Sequence, residues 1–301
     1  MEFTPNIPAG FDAFWQEKTS SALSAPLDFS LTPSDRVSPD GRAVQILTFK
    51  GISGEELQGW VVVTPGEVSE PGFLWVPPYS RWSMLPNEYG TRPGFASLSF
   101  NFFGESAFHQ ETYTPARGYF ADGIESPETW IFGRMYQNAV IALRVLASLP
   151  GVDSSRLASC GMSQGGGISI WLGAFCPLIK AVCADMPFLG GIGELFAKAS
   201  VHRYPLKEIG DWVGDDAGRQ AQFLETLRWF DTIHIASRCS VPTLLTLGTK
   251  DPAVRPWQVH EIFKALPGEK KLDELDWGHD WHPSMVERNL DWMTQHLGQA
   301  S

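Results

Sequence analysis

A serine flanked by glycines gives this chain its clearest chemical signal. Residues 161–165 read Gly-Met-Ser-Gln-Gly, which matches the G-x-S-x-G pattern of a nucleophilic serine. An apolar run at 157–160 precedes the motif, and a helical pattern at 168–172 follows it. A sharp turn from strand to helix would expose the hydroxyl of Ser163 and point the amide of Gln164 at a developing oxyanion. This context favours a nucleophile over a chance glycine-rich turn.

The acid that would assist such a serine is expected further along the chain, before the histidine. An apolar run at 243–247 leads into Gly-Thr-Lys-Asp at 248–251, so Asp251 follows the end of a predicted strand. The carboxyl ends of parallel strands form the ligand-binding edge of a sheet. Asp251 is therefore the candidate acid. The alternative interpretation is that Asp251 is an ordinary turn residue before Pro252. Asp276 stays open as another candidate for the acid.

The candidate base is His279, which follows a strand pattern at 271–275 and precedes the last predicted helix. His282, three residues later, is the rival, with a surface or capping role as its other interpretation. Four further histidines lie in predicted helices or at unsuitable places in chain order: His109, His202, His234 and His260. A metal pair of His279 and His282 has no evident third ligand, so neither a metal nor a cofactor is expected.

Ser163, His279 and Asp251 together predict acyl transfer through a covalent intermediate. The histidine would take the serine proton, and the aspartate would orient the imidazole. These residues do not fix the acyl group, so a carboxylesterase, a lactonase and a peptidase stay open. A binding protein without catalysis is the alternative from another class. It is disfavoured because such a protein has no physical need of all three side chains.

The elements that must position these residues change character near residue 127. Before it, the patterns predict a helix at 9–23 and strands at 44–49, 57–63, 73–76 and 95–100. After a long helix at 127–148, strands alternate with helices. The strands are at 156–161, 179–184, 242–247 and 270–275, and the helices are at 164–174, 256–265 and 283–297.

Helical crossovers between short apolar strands predict a mostly parallel sheet flanked by helices, with an N-terminal helical extension. This is the α/β class, and with the serine turn it is the α/β-hydrolase fold. The segment 190–237 lacks a strand pattern, which predicts a helical excursion over the active site. No linker divides the chain, so a single domain spanning 1–301 is expected.

Composition excludes several classes of protein. The 301 residues carry a formal net charge of −11, which disfavours nucleic acids and anionic membranes as partners. No apolar stretch is long enough to span a bilayer, and the first residues lack the pattern of a secretory signal. The four cysteines, Cys160, Cys176, Cys183 and Cys239, form no CxxC pair. Reduced, buried thiols and a cytoplasmic location are therefore expected.

Beyond these motifs, the sequence resembles the acetyl xylan esterase and cephalosporin C deacetylase family, carbohydrate esterase family 7. The stretches that carry the resemblance are Phe-Asp-Ala-Phe-Trp at 11–15, Gly-Tyr at 118–119, Gly-Ile at 123–124, Val-Asp-Ser-Ser-Arg at 152–156, Gly-Met-Ser-Gln-Gly-Gly-Gly at 161–167, Met-Pro-Phe-Leu at 186–189 and Gly-Thr-Lys-Asp at 248–251. They run along nearly the whole chain.

The resemblance implies an intracellular esterase that deacetylates small acetylated sugars and related acetyl esters. It also implies Ser163, Asp251 and His279 as the catalytic triad. The family's oxyanion hole would be formed here by the amides of Gln164 and Tyr79. A homo-oligomer, the hexamer of the family, is the implied assembly.

The sequence departs from the family pattern at three places, which marks a divergent member. Pro-Pro at 77–78 stands where the family has His-Gly, and Phe-Gly-Glu at 103–105 stands where it has Arg-Gly-Gln. Asp280 replaces the glutamate that follows the family's histidine.

Tryptophans supply the candidate substrate contacts. Indole rings stack on sugars and line apolar acyl pockets, although ordinary packing is the alternative for each ring. The candidates in loops or at helix starts are Trp82, Trp130 and Trp277, of which Trp277 lies two residues from His279.

Overall fold

The computed structural model describes residues 6–66, 69–80, 83–110, 118–198 and 203–298. Its strands are β1 Phe29–Val37, β2 Ala43–Lys50, β3 Glu56–Val62, β4 Glu70–Val76, β5 Ala96–Phe100, β6 Val152–Met162, β7 Ile179–Asp185, β8 Thr243–Gly248 and β9 Lys270–Leu275. Its helices are α1 Phe11–Ser24, α2 Ile131–Ser148, α3 Gln164–Phe175, α4 Ile192–Lys198, α5 Leu206–Val213, α6 Ala217–Phe230, α7 Thr232–Ala236, α8 Pro256–Ala265 and α9 Pro283–Leu297.

These strands form one sheet in the order β1-β2-β3-β5-β4-β6-β7-β8-β9. The pairs from β1 to β3, and β3 with β5, are antiparallel, and all pairs from β5 to β9 are parallel. Every residue of β4, β5 and β8 is buried, as expected for parallel strands covered on both faces. The α/β-hydrolase architecture predicted from the sequence is confirmed.

Alternate residues of β4 point into separate apolar layers on the two faces of the sheet. Leu74 and Val76 join the large core that includes residues of α1, α2, α3, α7 and α8. Phe73 and Trp75 join a smaller core closed by Trp292 of α9. The parallel strands are thus covered by several helices on one face and by α9 on the other.

Strand β6 begins at Val152 rather than at 156, and two further elements differ from the sequence predictions. Strand β1 was not predicted, because it is an edge strand without a buried residue and contains Pro33, after which its pairing with β2 shifts register. Helix α2 begins at Ile131 rather than at 127. The residues before it form turns in which the hydroxyl of Thr129 donates to the carbonyl of Gly123, 2.7 Å away.

Between β7 and β8, the described part of the chain holds four helices, α4 to α7, and no strand. The start of α7 lies beside the segment that follows β7, where the Thr232 hydroxyl donates to the Phe188 carbonyl at 2.6 Å. The four cysteines are buried thiols, and burial raises the pKa of Cys176 and of Cys239 to about 11. No helix among the described residues has both the length and the apolarity needed to cross a membrane.

The N-terminal helix is anchored by Trp15, whose side chain is completely buried. Its ring contacts Trp171 of α3 and Phe230 of α6 at centroid distances of 5.3 and 5.0 Å. The indole N–H donates to the carbonyl of Trp229 at 2.9 Å. A single side chain therefore joins α1 to two elements that lie far away in sequence.

Trp15→Ala is expected to lower the free energy of unfolding by about 3–5 kcal/mol, because it removes a buried indole and leaves a cavity. Urea denaturation followed by circular dichroism would measure the change. Glu17→Ala, at an exposed position of the same helix, is the matched control. A loss no larger than that of the control would show that α1 does not stabilise the domain.

Candidate active site

Ser163 stands at the turn between β6 and α3 with φ 56° and ψ −117°. Positive φ is unfavourable for a residue with a side chain, so the surroundings must hold it. The Ser163 amide donates to the carbonyl of Asp185 at 2.8 Å, and its carbonyl accepts from the amides of Gly167 and Phe188. The strained residue is thereby fixed from both sides.

Glycines flank the serine because backbones touch there. A Cβ atom at Gly161 would lie 2.5 Å from the carbonyl carbon of Gly165, and one at Gly165 would lie 2.1 Å from the carbonyl oxygen of Val76. Both distances are far below van der Waals contact. The turn therefore requires glycine at these positions for lack of space, in addition to the strained conformation of Ser163.

The side chains of Ser163, His279 and Asp251 form one hydrogen-bonded chain. His279 Nε2 lies 3.0 Å from Ser163 Oγ, and His279 Nδ1 lies 2.6 Å from Asp251 Oδ2. The ionised carboxylate can only accept, so Nδ1–H is the donor and Nε2 is left to accept the serine hydroxyl. The structure thus brings together the three residues that the sequence singled out.

The Asp251 carboxylate is held by backbone amides. Its Oδ1 accepts from the amides of Ala253 and Val254 at 2.7 and 2.9 Å, and the residue is only 2% exposed. Because Oδ1 is engaged in this turn, Oδ2 is left for the imidazole. Asp251 therefore fills both roles at once: Oδ1 stabilises the turn, and Oδ2 contacts His279.

The rival residues have other partners. Asp276, whose side chain is 78% exposed, forms an ion pair with Lys250 at 2.8 Å, and this lowers the pKa of its carboxyl. His282 caps α9, where its Nδ1 accepts from the amide of Ser284. Neither side chain belongs to the Ser163 hydrogen-bonded chain.

The two segments that carry Tyr79 and Gln164 leave neighbouring strand ends, since Val76 of β4 pairs with Gly161 of β6. Gln164 is the first residue of α3, so its amide has no carbonyl one turn earlier in the helix. The Tyr79 ring lies 5.2 Å from that of Tyr119, and its hydroxyl donates to Glu208 of α5. Residues from four separate segments therefore lie beside the elbow.

Two residues of this region were not singled out as functional from the sequence. Tyr119 was noted only within a stretch that resembles the family, and its hydroxyl donates to the side-chain oxygen of Gln164 at 3.1 Å. Glu208 lies in an amphipathic helix, where a carboxylate is ordinary. No local signal in the sequence marks either of them.

The three candidate tryptophans differ in accessibility. Trp277 is 40% exposed and packs on His282 at a centroid distance of 5.0 Å. Trp130 is only 1% exposed, lies among core aromatic rings and donates its indole N–H to the Phe120 carbonyl at 2.8 Å. A sugar cannot stack on so buried a ring, which corrects the prediction for Trp130. Trp82 lies outside the described residues.

No group of three or more His, Cys, Asp or Glu side chains placed to hold a metal ion occurs in the described ranges. The arrangement that does occur, a serine hydroxyl, an imidazole and a buried carboxylate in series, can transfer a proton from the hydroxyl and stabilise the resulting imidazolium. That is the chemistry of a serine nucleophile.

Comparisons with known proteins identify the family of the chain. The family model described as acetyl xylan esterase (AXE1) matches residues 3–296. Acetyl esterase Axe7A of Xylanibacter ruminicola is 22% identical over 284 residues, covering 89% of this chain and 62% of that protein. The chain thus spans less than two thirds of the length of this relative.

Solved structures agree in fold with this chain. Acetyl xylan esterase from Paenibacillus sp. R4 superposes with a TM-score of 0.86 at 25% identity, covering 98% of this chain and 97% of that one. Acetyl xylan esterase 1 from Thermoanaerobacterium sp. JW/SL YS485 shares the fold, with a TM-score of 0.83 at 19% identity over 97% and 95% of the two chains. Because the family model matches nearly the whole sequence, the chain belongs to the acetyl xylan esterase family, a family of carboxylic ester hydrolases.

Proposed function

We propose that this chain is a serine esterase that removes acetyl groups from small acetylated carbohydrates or related acetyl esters. The observation that carries the proposal is the hydrogen-bonded series of Ser163, His279 and Asp251 at a strained turn. Membership of the acetyl xylan esterase family supports acetate as the acyl group.

The reaction would proceed in two halves. In the first, His279 Nε2 takes the Ser163 proton as Oγ attacks the ester carbonyl carbon, and the carbonyl electrons move onto oxygen. The same proton then passes from the imidazolium to the departing alkoxide oxygen as the carbon–oxygen bond breaks. This leaves the acetyl group on Ser163 and releases the alcohol.

In the second half, water replaces the alcohol. His279 takes a proton from a water molecule as the water oxygen attacks the acetyl carbonyl carbon. The imidazolium then gives this proton to Ser163 Oγ as acetate departs. Asp251 keeps its charge throughout and stabilises the imidazolium. The amides of Gln164 and Tyr79 are the proposed donors to the oxyanion in both halves.

We also propose three properties that the family resemblance implies. They are a small acetylated substrate as the ligand, assembly into a homo-oligomer such as a hexamer, and a cytoplasmic location. Trp277 is the proposed surface for a sugar ring, because its indole is exposed two residues from His279.

Ser163→Ala is expected to lower kcat on 4-nitrophenyl acetate by about three orders of magnitude or more, because no nucleophile remains. Release of 4-nitrophenol measures the rate. Ser20→Ala, at an exposed position of α1, is the control and should keep wild-type activity. Activity retained by Ser163→Ala would reject Ser163 as the nucleophile. A wild-type protein that neither turns over nor reacts with an organophosphonate would favour the binding-protein alternative.

Asp251→Asn is expected to lower kcat by about 10²–10⁴-fold, because a neutral amide neither stabilises the imidazolium nor enforces the correct tautomer. Asp276→Asn is the matched control and should stay within about twofold of wild type, since an exposed ion pair contributes little. Steady-state kinetics on the same ester distinguishes the two carboxylates. A larger loss in Asp276→Asn would transfer the role of the acid to Asp276.

Acyl preference and sugar binding are tested together with 4-nitrophenyl acetate, butyrate and octanoate and with acetylated xylo-oligosaccharide. We expect kcat/KM to fall as the acyl chain lengthens. Trp277→Ala should raise KM for the oligosaccharide about fivefold, which corresponds to loss of about 1 kcal/mol of stacking. Trp257→Ala, which removes an indole of similar exposure on α8, should not.

Faster cleavage of octanoate than of acetate would keep the serine chemistry but reject acetyl esters as substrates. Hydrolysis of a peptide amide at a comparable rate would favour the peptidase alternative. Equal effects of the two tryptophan substitutions would remove Trp277 from the sugar site.

A further inference from the structure

One phenolic hydroxyl connects the two segments that supply the proposed oxyanion donors. The amide of Ser80 donates to Tyr119 Oη at 3.0 Å, and Tyr119 Oη donates to Gln164 Oε1 at 3.1 Å. Tyr119 and Gln164 are each 1% exposed, so water has little access to this bridge. The hydroxyl thus joins the segment after β4 to the first residue of α3.

The two groups bonded to the Tyr119 hydroxyl belong to, or lie next to, the residues that supply the proposed oxyanion donors. Gln164 is itself one of them, and Ser80 shares a peptide group with Tyr79, the other. Ser80 has φ 137°, a conformation that a serine adopts only when its surroundings impose it. The hydrogen bond from the Ser80 amide to Tyr119 Oη fixes the plane of the peptide group that joins Tyr79 to Ser80.

A carboxylate from α5 braces the same segments one residue away. Glu208 accepts from the Tyr79 hydroxyl and, at 2.7 Å, from the amide of Phe120. Residues 79 and 80 on one segment are thus tied to residues 119 and 120 on the other. Glu208 is 8% exposed, so the brace is shielded from solvent.

The side chain of Gln164 depends on this bridge for its orientation. Within the described residues, its Nε2 is buried and has no hydrogen-bond partner, so Oε1 makes its polar contact. Loss of the Tyr119 hydroxyl would leave both polar atoms of a buried amide unsatisfied at the start of α3. An unsatisfied buried group favours rearrangement.

We propose that the Tyr119 hydroxyl is a positioning group that sets the spacing of the Tyr79 and Gln164 amides in the oxyanion hole. The inference rests on the proposed esterase function. An oxyanion hole works only when its donors already lie about 3 Å from the developing charge, so a small shift of one segment weakens stabilisation of the transition state more than substrate binding. Tyr119 acts through the two segments and has no contact with the reacting atoms in this account.

The test is Tyr119→Phe, which removes a single oxygen and keeps a ring that can still pack against Phe103, 4.4 Å away. We expect kcat on 4-nitrophenyl acetate to fall about 10–100-fold with KM within about threefold of wild type, since one misplaced donor costs up to 10²–10³. The acidic limb of the pH profile of kcat/KM should not move, because His279 and Asp251 are untouched. A fall expressed mainly in KM, or a shifted limb, would overturn the proposal.

Tyr136→Phe is the matched control. Tyr136 is completely buried, and its hydroxyl has no hydrogen-bond partner among the described residues. Both variants remove a buried phenolic oxygen, so thermal denaturation of the two reports any general effect on stability. If Tyr119→Phe keeps kcat within twofold of Tyr136→Phe, the positioning role is wrong.

Gln164→Leu tests the same bridge from its other end and retains the backbone amide. It is expected to lower kcat to a similar extent, and the double variant should lose little more than the worse single variant, because both remove one bridge. Strictly multiplicative losses would overturn the proposal. Should Tyr119→Phe not fold, a Gln164→Leu variant with wild-type kcat would overturn it as well.

Failure of the proposed function has a different signature. If the wild-type protein shows no turnover that depends on Ser163, the esterase assignment itself is wrong. If that turnover is normal and Tyr119→Phe equals the Tyr136→Phe control, the esterase proposal stands and only the bridge is rejected.

Discussion

The close approach of α3 to the end of β4 is the constraint on which the rest of the site depends. No side chain fits at position 165, where a Cβ atom would lie 2.1 Å from the Val76 carbonyl oxygen. Contact between backbones brings the start of α3 against the sheet edge and holds Ser163 in positive φ, with its Oγ 3.0 Å from His279. His279 and Asp251 can assist a hydroxyl only where that contact presents it, so the hydrogen-bonded series depends on two glycines that carry no chemistry.

The same constraint explains how the chain accommodates Pro77 and Pro78 beside the elbow. A Cβ atom at Gly165 would also lie 2.9 Å from the Pro77 carbonyl oxygen, so the strand end meets the helix through its carbonyl groups. Proline keeps its carbonyl and lacks only the N–H. The ladder with β6 ends at the pair Val76 and Gly161, immediately before the first proline. The departure from the family's His-Gly therefore removes amides that the sheet does not use, while the approach of the elbow is preserved.

Local patterns predicted the elements that carry Ser163, Asp251 and His279, because each residue follows a predicted strand whose carboxyl end must lie at one sheet edge. They gave the wrong environment for Trp130, since its position before α2 does not tell which way the ring points, and the ring packs on Phe132 and Phe230 in the core. They missed β1, because its apolar alternation is confined to Phe29 and Leu31 and a proline follows at position 33. The sequence therefore predicted the order of the elements and the positions of the strand ends. It did not predict which side chains and which strand faces are buried.

The contacts around Tyr119 and Glu208 depend entirely on tertiary structure. Tyr79 and Glu208 are 129 positions apart, and their contact exists only because the helical segment between β7 and β8 folds back onto the segment after β4. Helix α5 thus presents to this region a buried carboxylate that must keep its two hydrogen bonds. A shift of α5 would therefore move Glu208 and, through it, Tyr79. Under the proposed esterase function, divergence in the helical segment would thus change the rate of the reaction without touching Ser163, His279 or Asp251.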